Sequence, residues 1–247
     1  MKKLFTLFIG ILIAFSMNAQ DLSLNEILEN YYEVCGMDEL AGLESVIMEG
    51  KTSNQGMENT FTITILNPGR YRLDVPIQGQ NMVQAFNHGS AWMVAPWTGS
   101  LDPKDLSDDE IKRMEKQADL TGDLYNWKEK GNKLELLGKE DFEGSDVYKI
   151  KCVDKNEDVT TYFMDAENFV ILKEESTVTM RGEEMKTQST LSDYKEVGNM
   201  VLPHSVSTSY QGQVVSQIMI TEYVLNPQVD VSIFEKPATG SVAGEEK

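Results

Sequence analysis

The feature that most constrains this chain is a period of two. Phe61, Ile63 and Ile65 alternate with Thr60, Thr62 and Thr64, and Tyr71, Leu73 and Val75 alternate with Arg70, Arg72 and Asp74. Successive side chains of a strand point to opposite sides, so each run has one apolar face and one wet face. Between such runs stand Asn67-Pro68-Gly69, Gln78-Gly79, Asn87-His88-Gly89-Ser90, Gly144-Ser145-Asp146, Asp165-Ala166-Glu167-Asn168, Arg181-Gly182, Gly198-Asn199 and Gln211-Gly212. Each supplies the Gly, Asn or Asp that a tight reversal needs. The runs between these turns number about eleven, at the regular spacing of an antiparallel barrel or sandwich. Strands never alternate with helices, which excludes a parallel α/β sheet.

Two segments break the pattern with helical grammar. Ser23 and Glu26 form a capping box, Leu22 can staple Ile27, and Leu24, Ile27, Leu28, Tyr31 and Cys35 share one face before Gly36. Ser107 and Glu110 repeat the device ahead of Ile111, Met114 and Ala118, with Asp108 and Asp109 at the positive end of the helix dipole. The expected class is mainly β, with helices laid against a sheet.

Met1-Lys2-Lys3, an apolar stretch from Leu4 to Phe15 and a short polar run to Gln20 read as an export signal cleaved near Ala19. The stretch is shorter than the roughly 20 residues of a permanent span. No cysteine adjoins the cleavage site to carry an acyl anchor, so the expectation is a soluble exported protein. Residues 21–237 are expected to form a single domain and 238–247 a flexible tail. Without Lys2 and Lys3 the formal charge moves from −18 to −20, which repels phosphate backbones and argues against nucleic acid as a partner. Cys35 and Cys152 either pair or stand as two small buried apolar residues.

Chemistry is hard to place. His88 lies in a Gly-containing turn and His204 follows Pro203, and neither has a nucleophile and an orienting group suggested beside it. Asp154, Asn156, Asp158 and Asp165 are spaced like a calcium loop, but Val159 stands where the sharp turn needs Gly. Alternation on both sides makes that segment a hairpin. No enzyme, metal or cofactor is expected. The excess is apolar and soft: 13 methionines, with Trp92, Trp97 and Trp127, on more half-apolar strands than two helices can cover.

Particular residues carry a resemblance. An amphipathic first helix ending Val34-Cys35-Gly36-Met37, the Pro68-Gly69-Arg70-Tyr71-Arg72 turn, Phe86-Asn87-His88-Gly89-Ser90-Ala91-Trp92 with Pro96, and a mid-chain helix resemble the periplasmic LolA-type lipoprotein carriers. Leu137-Gly138-Lys139-Glu140, Tyr162-Phe163-Met164-Asp165, Ser192-Asp193-Tyr194, Leu202-Pro203 and Ile233-Phe234-Glu235-Lys236-Pro237 extend the likeness to the outer membrane lipoprotein-sorting proteins. The resemblance implies an unclosed antiparallel β-barrel whose helices cover an apolar concave face. It also implies a periplasmic carrier or chaperone that shields acyl chains of lipoproteins or lipids on the way to the outer membrane. Its partners would be that cargo, an inner-membrane donor and an outer-membrane acceptor. An envelope sensor that binds another protein on the same fold is the alternative. The cavity is expected to draw on Phe61, Ile63, Ile65, Tyr71, Leu73, Val75, Phe86, Trp92, Ile150, Phe163, Ile218 and Ile220. The carriers bear an arginine before the proline matching Pro68, linked to lid closure; Asn67 stands there, with Arg70 and Arg72 as nearby substitutes.

Overall fold

A computed structural model describes residues 22–54, 56–180 and 183–238. The expected signal segment, the Arg181-Gly182 turn and all but the first residue of the expected tail fall outside these residues. The helices are α1 (Leu24–Cys35), α2 (Met37–Ala41) and α3 (Asp108–Gln117). The strands are β1 (Ser45–Asn54), β2 (Met57–Leu66), β3 (Arg70–Ile77), β4 (Gln80–Asn87), β5 (Ser90–Val94), β6 (Lys104–Asp105), β7 (Lys133–Phe142), β8 (Ser145–Val153), β9 (Val159–Asp165), β10 (Ile171–Met180), β11 (Glu183–Val197), β12 (Met200–Tyr210) and β13 (Gln213–Leu225). All thirteen belong to one antiparallel sheet in the order β6-β5-β4-β3-β2-β1-β13-β12-β11-β10-β9-β8-β7. The excess over about eleven includes the two-residue β6, too short to show alternation.

The chain makes six strands outward from β1, then seven more that return from the opposite edge until β13 pairs with β1. The sheet is not closed: β6 and β7 are its edges. Residues 106–132 must therefore carry the chain from one edge to the other, and they do so across the concave face. Met114 of α3 and Ala118, which caps it, pack on Ile65, Tyr71, Phe86 and Ala91. Leu124, further on, packs with Ile150 and Tyr162 of the other half.

Both predicted capping boxes form. Ser23 and Ser107 exchange hydrogen bonds with Glu26 and Glu110, and Gly36 ends α1 at φ 64°. That glycine lets the chain turn at once into α2, a short helix with no sequence signal of its own. α1 lays Ile27 and Leu28 on Tyr148, Ile150 and Cys152, while Met37 and Leu40 of α2 pack with Val46 and Met200.

Pairing register decides which residues share a face. Phe61 stands opposite Gly50, Ile63 opposite Met48, and Ile65 opposite Val46, and Leu73 and Tyr71 continue the rows. At Gly50 the β1–β13 ladder shifts register, which bends the strand and raises its local twist. A methyl group on Gly50 would collide with the Met219 carbonyl oxygen and the Phe61 ring.

The opposite face of the first half is covered by the C-terminal segment. Phe234 is fully buried. Its carbonyl accepts from Trp92 Nε1 at 3.0 Å, and the Ile233 carbonyl accepts from Arg72 at 2.6 Å. Arg72 is itself held by Asp74.

Two expectations follow. Gly50→Ala should lower stability by about 2 kcal/mol or more, because overpacking against backbone has no flexible side chain to yield; equilibrium denaturation measures it, and an unchanged midpoint contradicts the bend. Phe234→Ala should cost about 3–5 kcal/mol and shift tryptophan emission to longer wavelength as Trp92 meets water.

Candidate ligand-binding site

Between the concave face and its cover lie three hollows that meet at one side chain. The first, about 240 Å³, is walled mainly by apolar side chains, among them Leu40, Val46, Met48, Ile65, Leu202 and Tyr223, with Gln117 and Asp119 as its polar members. The second, about 180 Å³, is lined by Tyr31, Cys35, Leu191, Tyr194 and Val201, with Asp123, Tyr162 and Glu174 as its polar side. The third, about 380 Å³, lies nearer the surface between Ala41, Glu44, Asn67, Pro68, Tyr125 and Asn126. Leu120 borders all three. With Leu43 and Asp119 it forms the boundary between the inner space and the outer one.

Leu120 belongs to a run of turns, residues 120–131, with no helical or strand ladder of its own. Side chains hold that run in place. Tyr32 Oη donates to the Leu124 carbonyl at 2.5 Å, Tyr125 Oη to Asp38 at 2.6 Å, Asn132 Nδ2 to the Asp123 carbonyl at 2.9 Å, and Tyr162 Oη to Asp123 at 3.1 Å. Lys130 bonds Asp119, Thr121 and the Gly122 carbonyl. A piece fixed by a few bonds, without a cooperative ladder, is the part of a fold that opens at least cost.

The residues anticipated from alternation distribute unevenly. Ile65 lines the 240 Å³ hollow. Tyr71 and Phe86 are taken up by α3, and Ile150 by α1. Phe61, Val75 and Ile220 pack on one another, with Ile63, Leu73 and Ile218 half-buried around them on the same concave surface.

Trp92 and Phe163 do not belong to that surface. Trp92 pairs across from Ala85 and packs with Val83 and Val94, whereas its neighbour Ala91 faces inward with Phe86. Phe163 stands opposite Lys149 and Lys173, whose ammonium groups lie 5.0 and 4.2 Å from its ring centre. In both strands apolar residues occupy both parities, so alternation alone could not choose a face. Arg70 and Arg72 share the outer parity: Arg70 Nε donates to Asn87 and Arg72 anchors the C-terminal segment. Asn67 lies at the outer hollow, its amide donating to the Leu43 carbonyl at 2.7 Å.

Other candidates for chemistry resolve into structure. Cys35 and Cys152 are free, buried in separate clusters, and burial pushes both thiols up to about 12. Such thiols are inert. Asp154 accepts from the Asn156 and Asp158 amides in the β8–β9 turn and pairs with Lys116 at 2.7 Å. His204 is buried edge-on to Tyr223, with Nδ1 3.1 Å from the Leu202 carbonyl. No group of three metal-ligating side chains occurs among the described residues, and no helix there is long and apolar enough to cross a membrane.

Comparison with solved structures places this architecture. The chain matches a protein described as an outer membrane lipoprotein-sorting protein domain from Vibrio parahaemolyticus (TM-score 0.60, 14% identity, 86% of this chain and 97% of the other). It matches a LolA superfamily protein from Nitrosomonas europaea (TM-score 0.56, 16% identity, 87% and 99%). The fold is LolA-like. A DUF1329 family protein from Desulfovibrio piger shares it as well (TM-score 0.57, 10% identity, 85% and 97%). No family model and no curated protein matches the sequence.

The polar side of the second hollow has a measurable signature. Burial, reinforced by Asp123, pushes Glu174 up to about 7. A folded state that holds this proton more tightly than the unfolded chain is favoured below the ordinary carboxylate range, and that advantage disappears as pH rises through about 7. Glu174→Gln should therefore stabilise the protein by about 1–2 kcal/mol at pH 8, discounted for partial exposure, and by much less at pH 5. Denaturation of both proteins at the two pH values checks this; equal differences would remove the buried-acid account.

Proposed function

We propose that this protein is a non-catalytic carrier of acyl chains, exported to the periplasm, that shields the apolar part of a lipoprotein or lipid beneath the 120–131 segment. The observation that carries this reading is the mainly apolar hollow on the concave face, which borders an outer hollow along Leu43, Asp119 and Leu120. The names of the solved relatives support lipoprotein sorting as the setting, and the sequence at residues 1–20 supports export.

The sizes set the mechanism. At about 240 Å³ the inner hollow falls short of the roughly 300–1,000 Å³ that encloses a whole small ligand. Cargo enters as the 120–131 segment lifts and the hollows merge. Giving up the four tyrosine and asparagine bonds described above costs about 1 kcal/mol each. Uncovering Leu124, buried against Ile150 and Tyr162, costs about 1.5–3 kcal/mol more, and burial of about eight methylenes, at roughly 0.8 kcal/mol each, offsets the total. A long acyl chain has more than enough; a short one does not. Half-buried Ile63, Leu73 and Ile218 extend the apolar floor for the remainder of the chain. Nothing in this cycle requires a covalent step.

The purified protein, incubated with a diacylated lipopeptide and re-isolated, should retain it in stoichiometric amount on solvent extraction and mass spectrometry. Leu120→Trp, which fills the junction of the hollows, should weaken retention about tenfold or more, the equivalent of roughly two buried methylenes. A protein that comes back empty, with unchanged melting behaviour, would favour a module that binds another protein through its surface.

A further inference from the structure

We infer that the Lys116–Asp154 ion pair is a brace that controls cargo exchange, by pinning together the two ends of the chain segment that covers the inner hollow. This deepens the acyl-carrier reading and rests on it.

The pair spans the open side of the sheet. Met114 and Ala118 seat α3 and its cap on Tyr71 and Phe86 of β3 and β4. The β8–β9 turn belongs to the other half, where Ile150 and Cys152 pack in the core. Lys116 reaches across to Asp154 Oδ2 at 2.7 Å and stands 3.8 Å from Asp158. The chain leaves α3 at Gln117 and returns as β7 at Lys133, which pairs with Val153, the residue before Asp154. Both ends of the 117–132 segment are therefore held at one place, by a strand ladder on one side and an ion pair on the other. A loop whose ends are close packs as a compact unit, and Lys130 ties its limbs together through Asp119, Thr121 and the Gly122 carbonyl. Gln117, Asp119 and Leu120, just beyond the brace, line the 240 Å³ hollow.

The acid end is shaped to receive this cation. The Asp154 side chain is 4% exposed, and Oδ1 accepts from the Asn156 and Asp158 amides at 2.8 and 2.9 Å, which leaves Oδ2 to the ammonium. Burial alone would lower the Lys116 ammonium and raise the Asp154 carboxyl; their pairing reverses both directions. The calcium-like spacing of Asp154, Asn156 and Asp158 thus has a use, and the cation it takes is a lysine of the chain's own helix. Lys155 and Glu115 pair in the same junction at 3.0 Å, but with both side chains at least half exposed, where an ion pair contributes little. Neither Lys116 nor Asp154 lines any of the three hollows. Lifting the segment strains the pair that pins its end, and reseating the segment restores it, with or without cargo beneath. The brace accordingly sets the rates of entry and exit and leaves affinity alone.

The test compares the wild-type protein with Lys116→Met, which keeps the length of the side chain, and with Lys116→Met/Asp154→Asn, which leaves no uncompensated buried charge. Stopped-flow mixing with a dansyl-labelled fatty acid should give association and dissociation rates about fivefold or more above wild type in both variants, with Kd within about twofold. Amide hydrogen exchange should quicken to a similar degree over residues 120–131 while β2 and β3 exchange as in the wild type. Lys155→Gln, which removes the exposed pair, should leave both readouts within about twofold. Unchanged rates overturn the brace by making the pair idle, and exchange that quickens equally in β2 and β3 overturns it by making the pair a general support of the fold. A wild-type protein that binds no probe sinks the carrier reading and cargo control with it, while the exchange comparison still decides whether the pair pins the segment.

Discussion

The pairing of β1 with β13 sets the problem that the rest of the molecule solves. It joins the two halves of the chain in the middle of a single sheet and sends both free edges, β6 and β7, to the far sides. A strand order of that kind leaves one connection that must run from edge to edge. It also leaves a concave surface of alternating apolar residues that cannot face water. Residues 106–132 meet both demands at once, bridging the edges while covering the face. The cover is therefore a consequence of the topology and not an appendage to it.

That double duty has an uneven result. α3 and its cap bring Met114 and Ala118 and close tightly over Tyr71 and Phe86. α1 does the same over Tyr148 and Ile150. The turns between them must cross the middle of the face, where their own apolar residues are few. Leu120 and Leu124 fill what they can, and the space around them remains as hollows. Tyrosines from α1 and β9 then tie the turns down through their hydroxyls, each bond local and separately breakable. The softest part of the cover thus lies over the emptiest part of the sheet.

Much of this was legible in the residues. Capping boxes at Ser23 and Ser107 are local signals, complete within four positions, and both helices form as the sequence requires. Strands with one clean apolar parity, such as β2 and β3, declared their inner face correctly. Where both parities are apolar the signal is lost: for Trp92 beside Ala91, and for Phe163 between Tyr162 and Met164, register alone decides the side. The walls of the hollows were the least readable. Leu120 sits in an aperiodic run, Leu202 and Pro203 in a strand beside a bulge, and Glu174 looks like any surface acid among 40 acidic residues. Their meeting is a property of strand order, which places residues more than 50 positions apart within one space.

The partition at Leu120 separates capacity from framework. The sheet, its caps and its C-terminal clasp fix the outline, yet how much room lies inside turns on a residue that none of those elements needs. A lineage that exchanged this one leucine for something smaller or bulkier would change the space enclosed without disturbing a single strand pair, so proteins of the same architecture are free to diverge in the room they hold while their scaffolds stay alike.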